Sequence, residues 1–479
     1  YGAPCDWLPG DRGLICKRVP ADRGEAPQAS RVPTGPVIDE NLGRKAPART
    51  YSNLLKSPHD EALFEHYLQS ELVHVKLDGT IQKLFDADIV DEATPSPDGE
   101  WLMVETLHPP WSYHVSASRF PAKMQVIRID KPSQIVAIED LPLADDIPIA
   151  RGSVRTGKRS VSWRADHPAT LYAIEALDGG DAAAEADKRD RVSLLSAPFE
   201  GEFTSMWESE LRVNSVMWGD EDLAMAWTWR WNDRLLRTWH LDPSGKNAPK
   251  LMNARSFQDN YADPGSPMTR AGEYGWGVIH QVDDGILLSG RGIRPDGVRP
   301  FLDLMNLESG EARTLWKASE THHETLTAVV DAEATTFITR RQSQKDAPNY
   351  QLRKAGSEDM VPLTNFQDWA PQFAKVQKEL VTYTRADGVE LQARVYTPPG
   401  WRPSKGPLPT VFWAYPNEFK SKKDAGQKTK SENMFSRPST HSPLWFCLQG
   451  YAVIDDPTMP IVGEGDTEPN DNFVEQLVS

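Results

Sequence analysis

Along the first three quarters of the chain, short runs of apolar and β-branched residues are broken by turn dipeptides: Asp78-Gly79 after 72–77, Asp98-Gly99, Asp284-Gly285 and Ser309-Gly310. Such pairs tolerate the left-handed backbone of a tight hairpin, so each marks two antiparallel strands. Helical periodicity is confined there to 60–67. The pattern predicts a mostly β class, with sandwich, barrel and propeller all compatible with the hairpins alone.

A repeated phrase narrows that choice. A Trp or apolar residue leads into a short polar turn and then a strand at 7–16 around Gly10 and Gly13, and again at Ser96-Pro97-Asp98-Gly99-Glu100-Trp101-Leu102-Met103-Val104. The phrase returns at Trp163-Arg164-Ala165-Asp166 running into Leu171-Tyr172, and at Trp218-Gly219-Asp220 running into Leu223, with fainter copies at 272–279 and 331–338. A spacing of roughly 55 residues suits four-stranded propeller blades with some long loops, and about six blades are visible. On that reading Trp101, Trp163 and Trp218 hold equivalent blade positions.

After Pro371 the pattern changes. Residues 380–383, the turn Ala386-Asp387-Gly388 and 391–396 form a hairpin ended by Thr397-Pro398-Pro399-Gly400. The run Thr410-Val411-Phe412-Trp413-Ala414-Tyr415 is apolar without alternation, which predicts a strand buried on both faces. A lysine-rich stretch, 420–430, reads as a mobile solvated loop. A short helical stretch at 443–448 is stopped by Gly450, a second buried run spans 451–454, and a helix opens at Asp471. Strand, helix, strand, helix is the opening of an α/β sheet.

Composition removes several function classes. With 53 Lys+Arg against 69 Asp+Glu, the formal net charge is −16, and no basic block interleaved with aromatics offsets it; nucleic acid is not an expected partner. A 39% hydrophobic content with 16 Trp supplies a substantial core, yet no stretch approaches the roughly 20 apolar residues of a membrane helix. Cys5, Cys16 and Cys447 are odd in number and lack a Cys-x-x-Cys pair, so neither a disulfide framework nor a zinc ribbon is expected, and a reducing compartment fits. His322-His323-Glu324 lacks the spacing of a helical zinc site and reads as a loop; Gly463-Glu464-Gly465 lacks the third glycine of a dinucleotide fingerprint.

The longer motifs carry a resemblance. Residues 381–399, then Trp413-Ala414-Tyr415-Pro416-Asn417-Glu418-Phe419-Lys420-Ser421-Lys422, then Pro457-Thr458-Met459-Pro460-Ile461-Val462-Gly463-Glu464-Gly465-Asp466, resemble the prolyl oligopeptidase family of serine peptidases. Phe120-Pro121-Ala122-Lys123, Leu141-Pro142-Leu143-Ala144-Asp145-Asp146-Ile147-Pro148 and 160–166 look like the propeller of its glutamyl endopeptidase branch, known from chloroplasts. The resemblance implies a β-propeller over residues 1–370, partial at its start, and the beginning of an α/β-hydrolase domain over 371–479, with the active site between them. It further implies peptide or unfolded polypeptide substrates, cleavage after Glu, no cofactor or metal, and a soluble protein of the chloroplast stroma, or otherwise of the cytoplasm.

In this family the nucleophile sits in a Gly-x-Ser-x-Gly elbow, with Asp and His later in the chain. No such elbow occurs in the 479 residues, so the triad is expected beyond Ser479 and the chain as given is expected to be inactive. The alternative is an inactive propeller scaffold serving as an interaction surface. One catalytic element transfers: Tyr415 takes the place of the tyrosine that donates to the oxyanion, a role suited to a phenol, which stays protonated near neutral pH. Where the branch has Gly, Asn417 follows Tyr-Pro, a residue that tolerates positive φ. A glutamyl site also needs a cation, and Arg151, Arg155, Arg159 and Arg164 are candidates; the competing reading pairs them with Asp145 and Asp146 on a solvated loop face.

Overall fold

The computed structural model describes residues 4–30, 32, 51–148, 150–220 and 222–478. Antiparallel sheets follow one another in chain order. Cys5–Trp7, Leu14–Arg18 and Ser70–Val75 pair in succession up to the first half of the long strand Ile81–Pro95. The second half of that strand opens the next set, with Trp101–Leu107, Ala122–Arg128 and Lys131–Leu141. Lys158–Trp163, Thr170–Ala176, Asp190–Ser196 and Thr204–Ser209 form a third sheet, and Arg212–Trp218 with Ala224–Arg230 begins a fourth. Gly285–Gly290, Phe301–Asn306 and Ala312–Lys317 are consecutive in a fifth, while His323–Val329, Thr336–Gln342, Asn349–Lys354 and Met360–Pro362 make a sixth. The helix at Pro58–Leu68, capped by the Ser57 side chain accepting from the Asp60 N–H, covers the stretch where helical periodicity was read.

Every copy of the repeated phrase is the same piece of structure. The residue following one strand donates its N–H to a carbonyl at the start of the next strand or just ahead of it: Leu8 to Gly13 (2.9 Å), Ser96 to Trp101 (2.8 Å), Arg164 to Thr170 (2.8 Å), Gly219 to Leu223 (2.8 Å), Gly272 to Trp276 (2.7 Å) and Val330 to Thr336 (2.9 Å). This bond closes a short polar turn while the flanking apolar residues enter the sheet. The register corrects one expectation. Trp163 and Trp218 are both the last residue of the strand before the turn, but Pro95 holds that place in the earlier sheet and Trp101 stands across the turn, where Thr170 and Leu223 stand in the others. Trp101 and Trp163 nevertheless meet the same core: their rings lie edge-on to Phe199 at 5.0 and 5.8 Å, among Met103, Leu171 and Ala173, while Trp218 enters the next one.

Two compact units emerge. One comprises 1–231, 238–251 and 270–278, the other 232–237, 252–269 and 279–479. The second therefore holds the fifth and sixth sheets together with the C-terminal segment.

In the C-terminal segment Gln377–Thr384 and Glu390–Thr397 pair antiparallel, and Ala452–Asp455 joins the latter antiparallel and Thr410–Trp413 in parallel. Phe373, Tyr396, Leu444, Cys447 and Val453 form the core beneath. The turn Pro443–Gln449 ends at Gly450, whose φ of +88° is the left-handed value that favours glycine. Asn417–Phe419 pairs in parallel with Pro460–Val462, after which the chain turns at Gly465, and a capping box at Glu468 and Asp471 leads into Phe473–Val478.

Four expectations are revised here. Thr410–Trp413 is not buried on both faces: Phe412 and Trp413 are 54% and 59% exposed, because among the described residues the strand has a sheet partner on one side only. Cys5 and Cys16 are joined by a disulfide, their strands placing them directly opposite one another, so parity counting missed a cross-strand pair; Cys447 is free and buried. His323 and Glu324 open a strand rather than a loop. The lysine-rich stretch is a docked segment, not a solvated one. Ser421 caps the helix Lys422–Ala425, Asp424 and Gln427 are buried, and Lys420, Lys423, Lys428 and Lys430 each pair with a carboxylate.

Candidate functional site

Tyr415 follows the edge strand and is 79% exposed, so its hydroxyl is open to solvent and to whatever approaches. What fixes the backbone is the next turn. Asn417 begins a strand, its N–H donating to the Met459 carbonyl (3.0 Å) and its side-chain amide to the Tyr415 carbonyl (3.4 Å). The asparagine thus sits in extended backbone and uses none of its tolerance for positive φ. The arrangement offers a phenolic donor on an anchored loop, chemistry suited to an oxygen anion.

The four arginines singled out by sequence disperse. Arg151 lies over the Trp231 ring, 4.6 Å from its centroid. Arg155 donates to the carbonyls of Phe120 (3.0 Å) and Pro142 (2.8 Å). Arg164 is buried, paired with Asp166 and stacked 4.5 Å from the Trp218 ring. Arg159 bonds Asp190 at 2.6 Å within a buried network: Arg212 reaches Asp190 (2.8 Å) and both oxygens of Asp178 (2.7 and 2.8 Å), and Arg189 completes it at Asp178 (2.7 Å). The side chains of Asp178 and Asp190 are fully buried. Burial raises the Asp178 carboxyl, but the bonds from Arg212 and Arg189 outweigh it and hold the group below its usual value. Arg159, Arg189 and Arg212 thus act in ion pairs that tie strands together, while Arg164 pairs within its own turn.

Within the second unit, a cavity of about 520 Å³ brings together residues the sequence keeps far apart. Gly290 and Arg291 come from the end of one strand, His323 and Thr325 from the first strand of the next sheet, Arg394 from the C-terminal hairpin. Thr429, Ser431 and Met434 of the docked segment close it; Tyr415 is not among its lining residues. That segment is held against the blade strands by Gln427 donating to Asp259 (2.7 Å), Ser256 to Asp424 (3.0 Å), Gln258 to the Glu418 carbonyl (2.7 Å) and Asn433 to the Glu320 carbonyl (2.6 Å). His323 is driven below its ordinary value by burial and by the charges of Arg291, Arg340 and Arg394. Lys378, beside Arg394, is pushed by burial and that neighbour to about 8. Sequence reasoning considered His323 only as a zinc ligand and missed Arg291 and Arg394, because nothing local signals that strands so distant converge.

Among the described residues no group of three or more His, Cys, Asp and Glu is placed to hold a metal ion, and no helix is long and apolar enough to cross a membrane. No protein-family model matches the chain. It is 40% identical to a chloroplastic glutamyl endopeptidase of Oryza sativa subsp. japonica over 99% of this chain and 52% of that protein. Over nearly its whole length the chain is thus similar to peptidases of the prolyl oligopeptidase family. Its match in Arabidopsis thaliana, of the same description, is 39% identical over 97% of this chain and 50% of the relative, so the chain spans about half the length of the curated relatives it matches. A dipeptidyl aminopeptidase IV structure from Bacteroides ovatus superposes with a TM-score of 0.50 at 12% identity, covering 83% of this chain and 58% of that one. The fold class of the present chain is mostly β, a β-propeller followed by the N-terminal portion of an α/β-hydrolase domain.

Proposed function

We propose that this chain serves a serine endopeptidase that cleaves peptides after glutamate, supplying the propeller, over 1–370, and the opening of the hydrolase domain, over 371–479. The observation carrying the reading is the near-complete alignment, 99% of the chain at 40% identity, with a glutamyl endopeptidase. The relatives' chloroplastic naming supports a place in the chloroplast stroma. Tyr415 is the oxyanion donor: its hydroxyl strengthens its hydrogen bond as negative charge develops on the substrate carbonyl oxygen, and its anchored loop spares it reorganisation at that moment. No Gly-x-Ser-x-Gly lies in the 479 residues, so nucleophile, base and acid are assigned to no residue here.

The test uses two peptides identical except for Glu or Gln before the scissile bond. The 479-residue chain is expected to bind the Glu peptide without turning it over; binding of neither would favour a scaffold that engages other partners. In a protein that carries this chain together with a nucleophile, Tyr415→Phe is expected to lower kcat about 10- to 1000-fold with little change in KM. An unchanged kcat removes the role.

A further inference from the structure

We propose that the cavity walled by Arg291, His323 and Arg394 is a carboxylate-binding pocket that receives the glutamate side chain of a peptide. The identity of the peptide rests on the peptidase reading above; the carboxylate chemistry rests on the cavity itself.

Three features carry it. First, the charges acting on the ring are all of one sign. The groups acting on His323 are the cations Arg291, Arg340 and Arg394, from three separate elements, while its cross-strand neighbour Gln342 is neutral. Arg291 donates to a neutral acceptor, the Thr429 carbonyl, at 3.2 Å. Arg394 has a carboxylate in Asp456 at 3.2 Å, which also accepts from Lys430 at 2.5 Å, and Asp455 acts on both cations from the neighbouring position. Second, a polar atom waits without a partner: His323 Nδ1 is buried and has no hydrogen-bond partner among the described residues. Buried polar groups are ordinarily satisfied, and an orphan in a cavity points to an absent ligand. Third, part of the remaining wall is apolar, with Val298, Pro300, Phe301, Leu326 and Met434, alongside serine and threonine residues. A glutamate side chain is two methylenes ending in a carboxylate, which suits such a wall with cations at its end. The volume, about 520 Å³, lies within the range of small-ligand sites.

A carboxylate seated here favours the imidazolium over the imidazole, so His323 reports occupancy directly. The experiment follows the His323 ring by NMR in the full 479-residue chain, His323→Gln giving the assignment. Excess N-acetylglutamate N-methylamide is expected to raise the His323 pKa by about 1 pH unit, as an opposite charge at contact distance does. N-acetylglutamine N-methylamide is expected to leave it unmoved. Arg291→Gln, at an exposed position whose folding thermal unfolding verifies, is expected to weaken the glutamate probe about tenfold. A titration indifferent to the glutamate probe overturns the pocket. An equal response to N-acetylglutamine bearing a free α-carboxylate overturns the side-chain assignment in favour of a terminal carboxylate. Undiminished binding by Arg291→Gln removes that residue. A pocket that responds to the glutamate probe while the peptide pair fails to bind sinks the peptidase reading and leaves the pocket standing, so the two failures are distinguishable.

Discussion

Two arginine-rich regions of this molecule look alike in composition and differ in electrostatic closure. In the first unit, Arg159, Arg189 and Arg212 surround Asp178 and Asp190, and every guanidinium has a carboxylate within 2.8 Å. In the second, Arg291, Arg340 and Arg394 surround His323, and the charge acting on the ring has one sign. The closed set holds strands in place: Arg212 bridges Asp178 and Asp190, and Asp190 also accepts the Val213 N–H at 2.7 Å, tying one sheet to the start of the next. The open set leaves attractive potential directed at a cavity, where low-dielectric walls focus it. Clustering of arginine in sequence is therefore a poor guide to anion binding; what decides is whether the fold has already supplied the anion.

The largest way to break that comparison is to open the closed network. Asp190→Asn leaves Arg159 and Arg212 facing a neutral amide in a buried site, which is expected to cost about 3–5 kcal/mol of unfolding free energy. Chemical denaturation measures it. A loss below 1 kcal/mol, on the scale of an exposed ion pair, would mean the network is not the brace its burial implies.

How far such contrasts could be foreseen depends on whether the deciding contact is local. The six polar turns were legible because each is closed by a bond between residues at most six apart, such as Ser96 to Trp101, and the residues that permit the turn lie inside it. Gly450 and the hairpin around Asp387-Gly388 were legible for the same reason. The equivalence of Trp101 with Trp163 was misread because a core can be filled from either arm of a turn, and both rings reach Phe199. Cys5 with Cys16 depended on strand register, which an odd cysteine count does not reveal. The lysine stretch was misread because its carboxylate partners, Asp259, Glu390, Asp456 and Glu468, lie in other elements. The cavity is the extreme case, since Arg291 and Arg394 lie 103 positions apart in the numbering. Tyr415, by contrast, is singled out by its motif alone, and the strand leading to it is more exposed than its composition predicts.

A second, smaller test separates the two regions by pH. Asp178 is held below its unfolded value of 3.8, so its contribution is fully present above that value and is lost only as pH falls through the lower folded one. His323 is also held below its ordinary 6.5, but as a base: the fold favours the neutral ring, and the unfolded chain takes up the proton first. Its contribution is present above pH 6.5 and declines as pH falls from there. Between pH 6.5 and the carboxylate range, wild type is therefore expected to lose more stability than His323→Gln. His240 and His322, depressed as well, remain in both proteins and cancel from the difference. Parallel curves over that window would mean that the three arginines do not act on the ring.

The smallest expected effect is the sharpest discriminator. In a closed network, removing a cation strands a carboxylate and destabilises the fold; in an open one, removing a cation relieves repulsion and strands nothing. Arg291 is exposed, and its hydrogen bond goes to the Thr429 carbonyl, an acceptor whose place water can take. Arg291→Gln should consequently leave the unfolding free energy within about 0.5 kcal/mol of wild type, as for an ordinary surface substitution. The same change should cut affinity for the glutamate probe, because there the guanidinium meets a charge. Stability held and binding lost is the signature of a residue kept for a ligand. If Arg291→Gln instead destabilises the chain as heavily as Asp190→Asn, the cavity's cations are structural after all, and the difference between the two regions disappears.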